Sequence, residues 1–313
     1  MKDTRDGHKF SDPQVTGTGE PRATVALSDP QTLWFNTGTL CNIECANCYI
    51  FSSPTNDALV YLTAAEVSDF LDQLEARQWG AGEIGFTGGE PFMNPEMIAM
   101  AEAALSRGYD VLILTNAMRP MMRPAMRAGL ARLQAAHPGK MTLRVSLDHW
   151  SKAHHDAERG AGSYDTTLGG MDWLRESGMK MTVAARTLWG ESDAAARADF
   201  ARLFEERGYA IDATDPAALV LFPEMDESVD VPEITTGCWD ILGKSPDSVM
   251  CASSRMVVKR KGAARPSVLA CTLLAYDEAF ELGETLAEAE GDVALNHPHC
   301  AKFCVLGGAS CSG

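Results

Sequence analysis

Three cysteines, Cys41, Cys45 and Cys48, stand in a C-x3-C-x2-C spacing with Tyr49 directly after the last, and Thr87-Gly88-Gly89-Glu90-Pro91 follows about forty residues on. Three thiolates can hold three corners of a four-iron cube, whereas a cluster used only for electron transfer normally has four protein ligands. One iron then keeps an open position, the place where a catalytic metal site takes substrate or cofactor. The other readings of the triplet are a zinc site and three unrelated buried thiols. Zinc would need a fourth ligand near the loop, and His8 is the only histidine before His137. Gly-Gly-Glu-Pro taken alone also fits a turn between strand and helix, which accounts for the glycines but not for the glutamate.

The other six cysteines (Cys238, Cys251, Cys271, Cys300, Cys304 and Cys311) fall in the last quarter of the 313 residues. This suggests a first domain over 31–232 and a small cysteine-rich module over 233–313, after a polar, proline- and glycine-containing segment 1–30 read as a mobile tail. No secretory signal and no apolar run long enough to span a bilayer is present, so a cytoplasmic protein without a membrane partner is expected. In a reducing compartment spaced cysteine clusters read as metal ligands rather than disulfides. The formal net charge is −16, and Lys259-Arg260-Lys261 is the one dense basic run. Phosphate contacts need basic residues gathered on one face, so a nucleic-acid partner is not expected.

Strand and helix patterns alternate along the first domain. Leu33-Trp34-Phe35 leads into the cysteine loop, and further strands are expected at 83–87, 110–115, 141–146, 180–186 and 217–222. Thr63 and Glu66 form a capping box ahead of Val67, Phe70, Leu71 and Leu74 at helical spacing. Asn94 and Pro95 read as an N-cap and first-turn proline, and other helices are expected over about 121–136, 163–177 and 192–207. Such alternation requires right-handed crossovers and a parallel sheet. In parallel barrels, chemistry gathers on the loops after the carboxyl ends of strands. The cysteine loop, Gly-Gly-Glu-Pro, Thr115-Asn116 and Ser146-Leu147-Asp148 all sit at such ends.

The ordered pair of motifs, C-x3-C-x2-C and Gly-Gly-Glu-Pro, resembles the radical S-adenosylmethionine superfamily. The resemblance implies an α/β fold, a partial (β/α)6 TIM-type barrel, and a [4Fe-4S] cluster on Cys41, Cys45 and Cys48 whose open iron binds S-adenosylmethionine. It also implies a cofactor site at Tyr49, Gly88, Gly89, Glu90 and Pro91, with Asn116 nearby and with Ser146 and Asp148 facing the ribose. Asp148 could equally cap the segment that follows it. His155-Asp156-Ala157-Glu158-Arg159-Gly160 through Tyr164 resembles the pattern of sulfatase-maturating and peptide-modifying members. There Arg159 could pair with the cofactor carboxylate, or form a surface ion pair. His154 and His155 read as loop residues without a role. Strand 180–186 lacks the glycine-rich segment that often packs against adenine.

Cys251 and Cys271 flank a turn at Gly262, with Val257-Val258 and Val268-Leu269 on either side, which reads as a hairpin carrying two thiols. With Cys300, Cys304 and Cys311 it resembles the SPASM and twitch extensions, which carry auxiliary iron–sulfur clusters. One auxiliary [4Fe-4S] cluster is the main expectation, structural zinc with His297 or His299 the other. Cys238 could be a further ligand, a hydrogen donor or a buried thiol. The implied activity is reductive cleavage of S-adenosylmethionine to a 5′-deoxyadenosyl radical that takes hydrogen from a peptide or small-molecule substrate, fed by an external one-electron donor such as a flavodoxin or ferredoxin. The rival reading is a non-catalytic iron–sulfur or zinc-binding redox protein on the same fold.

Overall fold

The computed structural model describes residues 9–223, 226 and 229–307. Six strands and their helices follow in strict order. They are β2 (Thr32–Asn36), α1 (Ala64–Arg77), β3 (Glu83–Thr87), α2 (Met97–Ser106), β4 (Asp110–Thr115), α3 (Pro124–Ala136), β5 (Met141–Ser146), α4 (Lys152–Arg159), α5 (Ser163–Glu176), β6 (Lys180–Arg186), α6 (Asp193–Arg207) and β7 (Leu219–Phe222). A two-residue β1 (Thr24–Val25) precedes them, and α7 (Cys238–Leu242), β8 (Ser254–Val258), β9 (Ser267–Leu269), β10 (Glu281–Gly283) and β11 (Val293–Ala294) follow. Strands β2 to β7 pair in sequence order and all in parallel, the partial (β/α)6 barrel expected. Among the described residues the sheet has nine strands, because β8 pairs in parallel with the free side of β2 and brings β9 and β10 with it, each antiparallel to the last.

The expected strand limits agree with these to within a residue or two, and the hairpin pairs Val257 with Val268. Helix α1 starts at the Thr63–Glu66 capping box and buries Val67, Phe70, Leu71 and Leu74. It stops at Arg77, where Gln78 takes the left-handed cap conformation ahead of Gly80. Phe70 meets Phe35 of β2 edge-on at 6.2 Å, and Phe35 stacks on Phe86 of β3 at 5.7 Å, so the outer face of the sheet and its helices share one core. On the inner face Trp34 is fully buried against Gly85, where a Cβ would lie 2.4 Å from the indole. Trp34 thereby fills part of the barrel interior and does not line the cavity described below.

Three expectations are corrected. Asn94 does not cap α2, which begins at Met97; its side chain accepts from Glu96 N at 2.9 Å and donates to Leu62 O and Thr37 O, tying the β3 turn to its neighbours. His154 and His155 lie on a helix, α4, too short for its period to show in the sequence. Within the segment read as a mobile tail, residues 9–30 are anchored at a few buried positions, although most of their side chains are exposed. Phe10, Ala23 and Val25 are buried, β1 pairs with β11, and Arg22 forms a buried ion pair with Glu233 at 2.5 Å. The basic run at the β8–β9 turn is paired residue by residue, Lys259 to Glu66, Arg260 to Glu281 and Lys261 to Asp57. No helix among the described residues is long and apolar enough to cross a membrane.

Two adjacent glycines of α5 give a controlled test of the packing. A Cβ on Gly170 would lie 1.9 Å from Ala117 O, whereas nothing lies within 4 Å of one on Gly169. Gly170→Ala should lower stability by about 1–3 kcal/mol or more through overpacking. Gly169→Ala should raise it by about 0.5–1 kcal/mol through helix propensity. Thermal or urea unfolding followed by circular dichroism reads both; equal effects would mean that α5 does not sit against the β4 loop as described.

Candidate active site

One cavity opens at the carboxyl ends of the parallel strands. Its lining collects Cys41, Cys45, Cys48 and Tyr49 after β2, Gly88 and Gly89 after β3, Thr115 and Asn116 after β4, Ser146 and Asp148 after β5, and Arg159 from α4. Ten of the twelve residues expected at the iron and cofactor sites are thus brought together. Arg144, Ala184, Arg186, Phe222, Leu273 and Phe303 also line it and were not anticipated. Arg186 could have been found, since it ends β6 and the strand-end rule applies to it as to the others.

The glycine pair serves the cysteine loop directly. Gly88 has φ 141°, and a Cβ there would lie 2.5 Å from Gly38 O; one on Gly89 would lie 2.4 Å from Leu40 O and 2.6 Å from Thr39 O. Gly89 N donates to Gly38 O at 2.8 Å and Glu90 N to Leu40 O at 3.2 Å. Glycine is therefore required for backbone to lie on backbone, whatever the cavity contains.

Glu90 and Pro91, expected at the cofactor, do not line the cavity. Pro91 begins a short buried 3-10 turn, Pro91–Met93. The Glu90 carboxylate, 1% exposed, accepts from Thr115 Oγ1 at 2.9 Å, Asn116 N at 2.8 Å and Phe92 N at 3.2 Å. It locks the end of β3 to the end of β4. Burial pushes its pKa up to about 7, against the pull of those three donors.

Asp148 and Arg159, assigned separately to ribose and carboxylate, are bound to each other: Nε to Oδ2 at 2.6 Å and Nη2 to Oδ1 at 3.0 Å, the two-pronged geometry of a strong pair. Arg186 Nε lies 3.8 Å from Asp148 Oδ1. Burial alone would raise the Asp148 pKa, but Arg159 and then Arg186 more than offset it and hold the carboxyl below its ordinary range. The loop after β6 carries no glycine-rich platform. Its Trp189 stacks on His154 at 4.8 Å, and Glu191 lies 2.9 Å from His149 Nε2.

Two thiols of the loop are held up in pKa, Cys41 to about 12 and Cys45 above its usual value, chiefly by burial and against the field of Arg159. Asn116 Nδ2 lies 3.9 Å from Cys41 Sγ, and Ser52 N donates to Cys48 Sγ at 3.3 Å. Among the described residues no three His, Cys, Asp or Glu side chains are set to hold a single metal ion. Three thiols lining one cavity, with amide donors to sulfur and a guanidinium favouring thiolate, are a donor set suited to an iron–sulfur cluster.

In the tail, Cys251 follows α7 by a few turns, Cys271 follows β9, and Cys300 and Cys304 lie on the π-helical stretch Cys300–Leu306. Burial, then the nearness of Cys271 and Cys251, drives the Cys300 thiol well above its usual pKa. Cys300 thus lies near both Cys271 and Cys251. Cys251 is raised to about 11 by burial, opposed by Arg255. Cys238 accepts from Thr235 N at 3.3 Å, and Cys311 lies outside the described residues. The tail also reaches the cavity, for Phe303 stacks on Phe222 at 5.7 Å and both line it, with Leu273 beside them.

Glu90 supplies a test by pH. Its folded pKa of about 7 exceeds the ordinary 4.5. The folded chain thus keeps a proton that the unfolded chain releases, and the associated stability is complete below pH 4.5 and lost as pH rises through 7. Glu90→Gln cannot titrate. In metal-free protein the stability of wild type relative to Glu90→Gln should fall across that window in urea unfolding; a constant difference would show that Glu90 is ionised throughout.

Comparisons with known proteins bear on the family and the fold. A model described as the radical SAM superfamily matches residues 35–202, more than half of the chain. The chain is 30% identical over 153 residues to the AdoMet-dependent heme synthase of Methanosarcina barkeri, covering 47% of this chain and 41% of that protein. It is 27% identical over 192 residues to mycofactocin maturase MftC of Mycobacterium ulcerans (60% and 48%). It is 28% identical over 160 residues to the subtilosin biosynthesis protein AlbA of Bacillus subtilis (50% and 34%). It thus spans less than half the length of these curated relatives. Streptococcus suis SuiB bound to S-adenosylmethionine superimposes with a TM-score of 0.59 at 13% identity, over 82% of this chain and 63% of that one. Native anSMEcpe with bound AdoMet gives 0.59 at 14%, over 87% and 83%. At such identities the two structures speak to the fold, a partial TIM barrel. Given the extent of the family match, the chain belongs to the radical SAM superfamily, enzymes that use a four-iron cluster and S-adenosylmethionine.

Proposed function

We propose that Cys41, Cys45 and Cys48 hold the open-site cluster, that the cavity beside them holds S-adenosylmethionine, and that the substrate is a peptide or a small molecule. When bound, the cluster and cofactor supply reductive cleavage to a 5′-deoxyadenosyl radical able to take hydrogen from an unactivated carbon. The observation that carries the reading is that the three thiols share one cavity with Gly88, Gly89, Asn116, Ser146 and the Asp148–Arg159 pair.

The chain's own residues have distinct tasks in this reading. The thiols must give up their protons on taking iron, and Arg159, whose field lowers both Cys41 and Cys45, eases that loss. Ser146 and Asp148, the latter also holding Arg159, offer a hydroxyl and a carboxylate to ribose hydroxyls. Asn116, fixed by Glu90 through its N–H and by Asn42 through its amide at 3.0 Å, offers a positioned polar group. The apolar wall of Leu114, Phe222, Leu273 and Phe303 excludes water and stray hydrogen donors from the reacting carbon.

Residues 31–232 are read as the reacting barrel and 233–313 as an extension holding an auxiliary [4Fe-4S] cluster on Cys251, Cys271 and Cys300, with Cys304, Cys311 or Cys238 completing the shell. The nearness of Cys300 to Cys271 and Cys251 supports it. An external one-electron donor such as a flavodoxin or ferredoxin would feed the open cluster. A peptide substrate draws support from the relatives named as maturases and from SuiB, whose structure was solved with the precursor peptide SuiA.

Anaerobically reconstituted protein should release 5′-deoxyadenosine from S-adenosylmethionine under reduction, and alanine at Cys41, Cys45 or Cys48 should abolish release. Undiminished product in those variants would sink the catalytic reading. A variant with alanine at all three positions should keep about four irons, the content of one fully ligated cluster. Stoichiometric zinc in their place would make the tail a structural site.

A further inference from the structure

The turn Cys45-Ala46-Asn47-Cys48 carries two of the three loop thiols and has a single weak bond of its own, Cys48 N to Cys45 O at 3.4 Å. Just after it, Phe51 N donates to Cys48 O at 3.0 Å and Ser52 N to Cys48 Sγ at 3.3 Å; from elsewhere in the chain it is held by two residues. The Glu158 carbonyl accepts from Ala46 N at 2.8 Å, and its carboxylate accepts from Asn47 N at 2.9 Å and Asn47 Nδ2 at 2.7 Å. From the other side Arg186 Nη2 donates to Asn47 O at 2.8 Å. Glu158 is 4% exposed, so this is no surface contact.

The same two elements hold Asp148. Arg159, next to Glu158 on α4, grips its carboxylate at 2.6 and 3.0 Å, and Arg186 N donates to Asp148 O at 2.9 Å. The contacts close into a ring that runs from Asn47 through Glu158, Arg159, Asp148 and Arg186 back to Asn47. Helix α4 is itself anchored, since Asp156 accepts from Gly162 N, Ser163 Oγ and Tyr164 N just past its end. The thiol turn and Asp148 therefore cannot shift independently.

We propose that Glu158 is a positioning residue for cofactor cleavage: it fixes the Cys45–Cys48 turn relative to the Asp148–Arg159 pair, and so couples the affinity of the cofactor site to the geometry of the iron site. This rests on the reading that the loop takes the open cluster and the cavity S-adenosylmethionine. A carboxylate suits the task because it accepts two N–H groups at once, and such charge-assisted bonds compensate its burial. Coupling of this kind is reciprocal, so cofactor binding should in turn tighten the turn.

The test uses Glu158→Ala, Glu158→Gln, Asn47→Ala and the Glu158→Ala/Asn47→Ala pair in the full chain. In metal-free protein, alkylation of Cys48 by iodoacetamide reports opening of the turn and should quicken about tenfold in Glu158→Ala. Glu158→Gln, which keeps an acceptor for Asn47 N but loses the charge and the second acceptor, should fall between wild type and Glu158→Ala. In reconstituted protein with wild-type iron, the calorimetric Kd for S-adenosylmethionine should rise about tenfold in Glu158→Ala, and adding Asn47→Ala should cost less than it does alone, as for residues in one network. Wild-type alkylation and affinity in Glu158→Ala, or strictly additive effects in the pair, would overturn the proposal. If wild type binds no S-adenosylmethionine after reconstitution, it is the cofactor reading itself that fails.

Discussion

Backbone lies on backbone where Gly88 and Gly89 meet the cysteine loop, and the mouth of the barrel is built outward from that contact. The loop after β2 would otherwise be a long excursion with few partners. Instead its carbonyls at Gly38 and Leu40 accept from Gly89 and Glu90, so its first half continues the β2–β3 pairing beyond the sheet. Once Glu90 is in place, its buried carboxylate reaches across to β4 and orients Asn116. A single tight approach thus sets the positions of residues from three strands. A side chain at Gly89 would be felt first by the thiols and only through them by a cofactor.

What could be read from the sequence follows from what is local. The strands of the barrel are short apolar runs between turn residues, and α1 announces itself by a capping box and a helical stripe, so their limits were accessible. The motif cysteines and the residues at strand ends converge because topology alone puts strand ends together. Whether a carboxylate faces the cavity or the protein was not accessible. Glu90 and Glu158 are both acidic residues beside a motif; one turns to β4 and the other to the thiol turn, and only tertiary contacts decide. Asp148 and Arg159 were each legible as site residues, but their pairing depends on where α4 lies, and α4 has too few residues to display a period.

The segment before β2 shows the same limit from the other side. Its proline, glycine and polar content resembles a free tail, yet Arg22 is buried against Glu233 with Leu295 O also accepting from it at 3.3 Å. Ordering here comes from partners more than two hundred residues away, beyond the reach of composition. The tail's cysteines were likewise visible as a cluster, while their apolar companion Phe303, which closes the cavity against Phe222, was not.

The parallel pairing of β8 with β2 sets Thr32 against Ser254 and Phe35 against Val257. The strand from which the thiol loop springs is therefore sheathed on one side by β3, which follows soon after it, and on the other by residues made more than two hundred positions later. Non-local parallel pairing is slow to form because loop closure precedes its reward. During synthesis the barrel strands can assemble on the β3 side while the other flank of β2 stays open, with its unpaired edge exposed. The loop thiols thus reach their finished surroundings only after β8 has emerged and docked, so that under the proposed reading iron would enter late, following the arrival of the carboxyl-terminal residues.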